Sequence, residues 1–373
     1  MKPRRSGRAL AALSLSLLTT LTACAGAAES TPDRPRTATV TPSASTTTPT
    51  PSGTLLVADF DADTVTFVDP AKGPVDSVRV GTAPYGLAVG ADGRAWVATA
   101  EGVAVVDTRT RESLGRIAYA TKADGPATLG EYRAGGMGIA LSPDGTRVYV
   151  GVNVPDGKGV LEVIDTTTRQ VVDTVGVGRR PFDVDVSADG REVYATGHDS
   201  YDVTAVAADT LRARRLEVAP YGTEGGLGSW LKPHYAAVRP SDGKLLLPFE
   251  GERLAVLDPR TGRVTVEPMT ANTHQHGTTI TPDGTLLVVG TGPIGGDDED
   301  ASLTVRAPDG SERVIPLDGP HEDVAVSRDG RTAYVTGGFT REGSWDGITA
   351  VELSTGTPRK IPAGTRPLGI AIL

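Results

Sequence analysis

One phrase recurs seven times along this chain: a Pro or Gly, a short apolar strand, then usually a tight turn ending in Asp-Gly. The copies read Pro84-Tyr-Gly-Leu-Ala-Val, Gly136-Met-Gly-Ile-Ala-Leu, Pro181-Phe-Asp-Val-Asp-Val and Pro233-His-Tyr-Ala-Ala-Val. They continue as Gln275-His-Gly-Thr-Thr-Ile, His321-Glu-Asp-Val-Ala-Val and a final Pro367-Leu-Gly-Ile-Ala-Ile. Counted from the second residue of each copy, the starts are Tyr85, Met137, Phe182, His234, His276, Glu322 and Leu368. The intervals are 52, 45, 52, 42, 46 and 46 residues. A period in the forties built of short strands predicts blades of a β-propeller, each unable to bury its apolar face alone.

Between copies the text supplies three more strands. In the unit opening at Pro181, strand A runs to the Ala188-Asp-Gly turn. Strand B is Glu192 to Thr196, strand C is Asp202 to Ala207, and strand D is about Arg214 to Val218. Alternation is clear in Leu161-Glu-Val-Ile-Asp and Leu254-Ala-Val-Leu-Asp, each followed by a polar turn. The ends complement each other. Gly53 to Val80 provides strands B, C and D without a strand A, and Pro367 to Leu373 is a strand A with nothing after it. Joined, they make one more blade. The expectation is an all-β, seven-bladed β-propeller of four-stranded antiparallel blades over residues 53–373, closed by strands from both termini so that no sheet edge stays open. The blade texts Val148-Tyr-Val-Gly-Val-Asn and Ala333-Tyr-Val-Thr-Gly resemble the YVTN-type propeller repeats of bacterial surface and periplasmic proteins. That resemblance covers nearly all of residues 53–373 and implies fold, since such propellers host enzymes, ligand binders and scaffolds alike.

The segment ahead of the repeats reads differently. Lys2, Arg4, Arg5 and Arg8 precede an apolar stretch from Ala9 to Thr22, too short to span a bilayer comfortably. Leu21-Thr22-Ala23-Cys24 resembles the bacterial lipobox. The resemblance implies a signal peptide over residues 1–23, lipidation of Cys24, and an extracytoplasmic protein held on the bacterial membrane. Cys24 is the only cysteine, so no disulfide is expected. Residues 24–52, rich in Thr, Ser, Pro and Ala without apolar periodicity, read as a disordered tether. Without the first 23 residues the chain carries 33 basic against 46 acidic residues, a net charge of −13. That balance argues against nucleic acid as a partner and suits a site that attracts cations.

The five histidines carry the functional signal. His234 and His276 take the same repeat position, the first residue of strand A, where other copies have Tyr, Met, Phe or Leu. His274 precedes His276 by two, and residues i and i+2 of an extended chain face the same way. His321 stands one residue before the equivalent position in the next copy, beside Glu322. His198 lies in a B–C loop. Strand A lines the channel of a propeller, and the D–A and B–C loops share one face. All five histidines are therefore expected on one face, from four consecutive blades. Converging neutral imidazoles suit Zn²⁺, Cu²⁺ or Fe²⁺ with a position left for water or substrate. As metal ligands His234, His276 and His321 lead, His274 follows and His198 comes last; His234, His276, His321 and Glu322 are the catalytic candidates. Asp199, Glu322 and Asp323 are the acidic neighbours that could orient the rings. Isolated loop histidines usually bond a carbonyl or water instead, and that alternative stays open.

Other features have plainer explanations. Asp144, Asp189, Asp283 and Asp329 are hairpin residues. The Asp297–Asp300 run has no EF-hand spacing, and Arg179 and Arg180 read as surface charges. Two long insertions, Thr121 to Ala134 and Tyr221 to Lys232 (with Trp230), emerge on the histidine face and suit a lid. No nucleophile elbow, cysteine nucleophile or nucleotide-binding loop is present. Two functions fit: a metal or small-ligand site at the channel mouth, with or without catalysis, or a non-catalytic module that binds a protein, peptide or glycan partner.

Overall fold

A computed structural model describes residues 53–125, 130–218, 232–249, 253–271, 274–292, 300–338 and 343–373. The expected signal peptide and tether lie outside these residues. So do Trp230 with most of the second insertion, and the acidic run from Asp297 to Glu299.

Seven four-stranded antiparallel sheets make up the body, with only two short 3-10 turns, Gly130–Tyr132 and His198–Ser200, among the described residues. The first blade is the composite one. Its innermost strand Pro367–Ile372 pairs with Leu55–Asp59, placing Leu55 against Ile372, Leu56 against Ala371 and Val57 against Ile370. Innermost strands of the second to seventh blades are Leu87–Val89, Gly135–Leu141, Pro181–Val186, Ala237–Val238, Gln275–Ile280 and Val324–Val326. Each touches the next, and the seventh touches the first, so the ring is closed. The fourth blade follows its sequence text closely: Pro181–Val186, Glu192–Gly197, Asp202–Ala207 and Ala213–Glu217.

The core is distributed. Seven separate apolar clusters fill the seven blade interfaces, such as Leu56, Phe67 and Val97 between the first and second blades. Leu287, Leu303 and Val335 do the same between the sixth and seventh. Each fully buried Leu, Val or Phe contributes about 1.5–3 kcal/mol, and no interface exists until neighbouring blades meet. An eighth cluster lies on the axis: Phe60, Ala83, Tyr85, Met137, Phe182 and Leu368, with Tyr235 packed against it.

Two local devices set the strand spacing. After the innermost strands, Ser142-Pro-Asp-Gly, Ser187-Ala-Asp-Gly, Thr281-Pro-Asp-Gly and Ser327-Arg-Asp-Gly turn the chain, with the glycines at φ of 71°, 70°, 90° and 70°. The Asp144 carboxylate accepts from Ser142 Oγ and Thr146 N, which holds its pKa at about 2. At the channel, Gly138 and Gly277 permit close approach. A Cβ on Gly277 would lie 2.4 Å from the Glu322 carbonyl oxygen, and one on Gly138 would lie 2.5 Å from Asp183 backbone. Gly277 N donates to that Glu322 carbonyl at 2.8 Å. The residue after His276 thus brings the sixth and seventh blades together at the axis.

Candidate metal centre

The second residues of the seven repeat copies form one ring at the channel mouth. Tyr85, Met137, Phe182 and Leu368 belong to the axial apolar cluster. His234, His276 and Glu322 complete the ring, exposed by 3%, 1% and 0%. The centre is built on this polar arc. His276 extends from the innermost strand of the sixth blade, and His274 stands two residues earlier on the same extended chain. His274 is held there by its N–H to Gly292 O and by its carbonyl, which accepts from Thr291 N. His198 opens the 3-10 turn of the fourth blade, whose last cap, Tyr201, adopts a left-handed conformation. That turn drops the ring inward rather than toward solvent.

The Nε2 atoms of these imidazoles face one another. His276 Nε2 is 3.2 Å from His274 Nε2, which is 3.4 Å from His234 Nε2. His198 Nε2 is 3.1 Å from His234 Nε2. The ligand atoms of His234, His274 and His276 all lie within 4.8 Å of one another, a group that could hold a metal ion. His198 borders the group on the His234 side. Imidazoles bound tetrahedrally at ~2.0–2.1 Å would place their nitrogens ~3.3–3.4 Å apart, close to the His276–His274 and His274–His234 spacings.

Carboxylates hold the far side of two rings. His276 Nδ1–H donates to Glu322 Oε2 at 3.1 Å, and His198 Nδ1–H donates to Asp199 Oδ1 at 2.9 Å. Glu322 Oε1 accepts from Tyr235 Oη at 3.2 Å and Tyr85 Oη at 3.4 Å, reaching across the axis to the fifth and second blades. Asp199 also meets Arg180 at 2.6 Å and Lys232 at 3.2 Å. Burial by itself would raise the Asp199 carboxyl. The bond from His198 and the charges of His198, Arg180 and Lys232 instead hold it well below the usual carboxylate range.

These bonds decide the protons. With the Nδ1 hydrogens of His198 and His276 given to carboxylates, both Nε2 atoms present bare lone pairs. His234 and His274 also face each other through Nε2 at 3.4 Å. A cation at the convergence of His234, His274 and His276 would take a lone pair from each of these three rings. Burial, reinforced by the neighbouring imidazoles and Lys232, pushes His234 well below the ordinary histidine pKa and keeps it neutral. Neutral imidazole is the ligating form.

His321 is placed elsewhere, a correction to its expected role at the mouth. It is fully buried, its Nδ1–H donates to Gly319 O at 2.8 Å, and its Nε2 accepts from Thr349 Oγ1 at 2.7 Å. The reason is register: successive residues of an extended chain face opposite ways, so Glu322 takes the ring position and His321 turns back into its blade. Burial pushes its pKa down to about 4. Asp323 orients no histidine; it accepts from Val324 N and Ile370 N and ties the seventh blade to the first.

The repeat numbers Tyr85 and Phe182 as ring positions but not what they touch. Tyr85 and Tyr235 lock Glu322 from the opposite side, and Phe182 stands at the hub of the rings. Its centroid is 5.2 Å from His234, 5.5 Å from His198 and 5.3 Å from Tyr235. Tyr235 did carry a signal, since its repeat position holds Gly or Asp in every other copy. Arg180, read as a surface charge, is a partly buried partner of Asp199. The described end of the first insertion is anchored by Arg133, which is fully buried and donates to the carbonyls of Ala134 and Gly136.

No family model matches the chain, and no curated protein matches it. Among solved structures the chain is similar to hydrazine synthase from Kuenenia stuttgartiensis, with a TM-score of 0.61 and 17% identity over 77% of this chain and 88% of that one. It is also similar to a functionally unknown protein from Desulfotomaculum acetoxidans, with a TM-score of 0.62 and 11% identity over 86% and 99% of the two chains. Likeness at this identity speaks to the propeller fold alone.

Proposed function

We propose that this protein is an extracytoplasmic lipoprotein, anchored through Cys24, whose propeller binds one transition-metal ion at His234, His274 and His276. One observation carries the reading: three buried histidines place their ligand atoms within 4.8 Å of one another while Glu322 holds the Nδ1 of His276. Ligand histidines bonded to a carboxylate through the second nitrogen are the usual construction of a metal site. The donor set is nitrogen with carboxylate behind it and no thiolate, which favours Zn²⁺ or Cu²⁺ and admits Fe²⁺. A bound ion would supply Lewis acidity, and redox chemistry in the case of copper or iron.

Membrane anchoring rests on the lipobox-like Leu21-Thr22-Ala23-Cys24, and labelling with a radioactive or alkyne fatty acid tests it: Cys24→Ser should abolish incorporation. The metal reading is tested by elemental analysis of the purified protein. About one equivalent of Zn, Cu or Fe per chain is expected, lost in His234→Ala/His276→Ala. A wild-type protein that neither retains metal nor gains thermal stability with added Zn²⁺ or Cu²⁺ would sink it and leave the partner-binding module as the standing alternative.

A further inference from the structure

The ring closes where strands from the two ends of the propeller pair, and a carboxyl group is sealed into that seam. Asp59 ends the strand Leu55–Asp59, opposite Pro367 of the innermost strand, and it is 0% exposed. Its Oδ2 accepts from Thr66 Oγ1 at 2.6 Å and Thr64 Oγ1 at 2.9 Å, while its Oδ1 is buried without a hydrogen bond. Gly364, in the loop that leads into Pro367, packs so closely on the carboxyl that a Cβ there would overlap it.

The fourth blade builds the same pocket with a counter-charge. Under the matching loop glycine, Gly178, lies the carboxylate of Asp202, 1% exposed. Arg215 Nε donates to it from the outermost strand, at the position opposite Thr204. In the first blade the residue opposite the matching Thr66 is Ser77, which brings no charge. The neighbouring charged groups do not replace it. Arg366 of the closing loop pairs with Asp61, Asp63 accepts from Ala83 N and Arg79, and Asp346 of the seventh blade adds negative charge. Burial above all pushes the Asp59 carboxyl up to about 7, against the bonds from Thr66 and Thr64.

We infer that Asp59 makes closure of the ring pH-dependent: as a neutral acid it fits the seam, and as a carboxylate it loosens the pairing of Leu55–Asp59 with Pro367–Ile372. A buried charge without a counter-charge costs far more than a buried neutral acid. The folded pKa lies above the unfolded 3.8, so this stabilisation is fully present in acid and is lost as pH rises through 7.

Urea unfolding of the purified protein, with a chelator present, compares wild type with Asp59→Asn at each pH. The comparison cancels the titration of Asp183, Asp185, Asp323 and His321. From pH 5 to pH 8 the wild-type unfolding constant should rise roughly 100-fold relative to that of the variant. A ratio that does not change with pH would overturn the proposal. Hydrogen exchange locates the effect in wild type alone, since two strands of one molecule share the intrinsic pH dependence of exchange. Amides of the Pro367–Ile372 strand should lose protection relative to those of Arg147–Asn153 in the third blade over the same range. Equal change in both strands would overturn the assignment to the seam.

Discussion

The first and fourth blades carry the same loop and use it for opposite ends. In both, a residue in left-handed conformation precedes the proline of the innermost strand: Arg366 at φ 53° and Arg180 at φ 50°. Their carbonyls accept from the B–C loop, from Phe60 N at 3.1 Å and His198 N at 3.0 Å. Their guanidiniums pair with the next residue, Arg366 with Asp61 at 3.2 Å and Arg180 with Asp199 at 2.6 Å. One blade then lays Phe60 against Tyr85 in the axial plug. The other lays His198 against Phe182 with Nε2 aimed at His234. The backbone device is shared, so the chemistry comes from a side-chain exchange within a frame that packing already requires. The same holds around the mouth, where four ring positions are apolar and three are His, His and Glu.

The largest expected effect comes from breaking the apolar side. Phe182→Ala removes the ring that touches both halves and should cost about 3–5 kcal/mol. The thermal midpoint should fall by on the order of 10 °C, and metal affinity should fall with it. A variant of unchanged midpoint would mean that the plug does not support the histidines.

Next comes the coordinating side. Glu322→Gln keeps shape but loses the charge behind His276, so metal affinity should fall about 10–100-fold, with the apo midpoint moving little. Affinity read by competition with a chromogenic chelator decides the matter. An unchanged constant would separate Glu322 from the site.

These two residues also show how far the sequence could be read. Phe182 and Glu322 were visible as ring members because the repeat numbers them, and the blade count followed from the same numbering. Pattern fixes strands and the face of each residue, since both have a local cause. Where His198 and His321 stand depends on what a repeat does not encode. A one-residue offset turns His321 away, and a 3-10 turn ending at Tyr201 brings His198 in. Contacts made across the axis, Tyr85 and Tyr235 on Glu322, join blades far apart in sequence, so the repeat marks Tyr235 as unusual without saying what it touches. Net acidity had suggested a cation-attracting site. Much of it is spent on turns, where Asp69, Asp107, Asp165 and Asp258 accept from following backbone N–H groups.

A third prediction separates the structural histidine from the coordinating ones by pH. His321 has a folded pKa of about 4 against 6.5 when unfolded. The unfolded chain therefore binds the extra proton first, and the contribution of neutral His321 is fully present above pH 6.5. It is lost as pH falls toward 4, amounting to about 3 kcal/mol across that window. His321→Asn should be less stable than wild type at pH 7, and the gap should shrink by pH 4.5 in urea titrations. Metal content should stay unchanged; its loss in this variant would return His321 to the site.

The smallest effect is the most discriminating, because it uses the twin loops. Asp61 and Arg366 form a partly exposed pair, and such pairs contribute about 0–1 kcal/mol. Asp61→Asn should therefore leave both stability and metal affinity nearly untouched. Asp199→Asn makes the same chemical change at the same loop position, yet it removes the negative charge beside His198 Nδ1 and leaves Arg180 and Lys232 without their shared carboxylate. If His198 belongs to the working centre, the second variant alone should weaken metal affinity, read by competition with the same chelator. Equal behaviour of the two variants would mean that His198, for all its proximity to His234, repeats the packing role of Phe60.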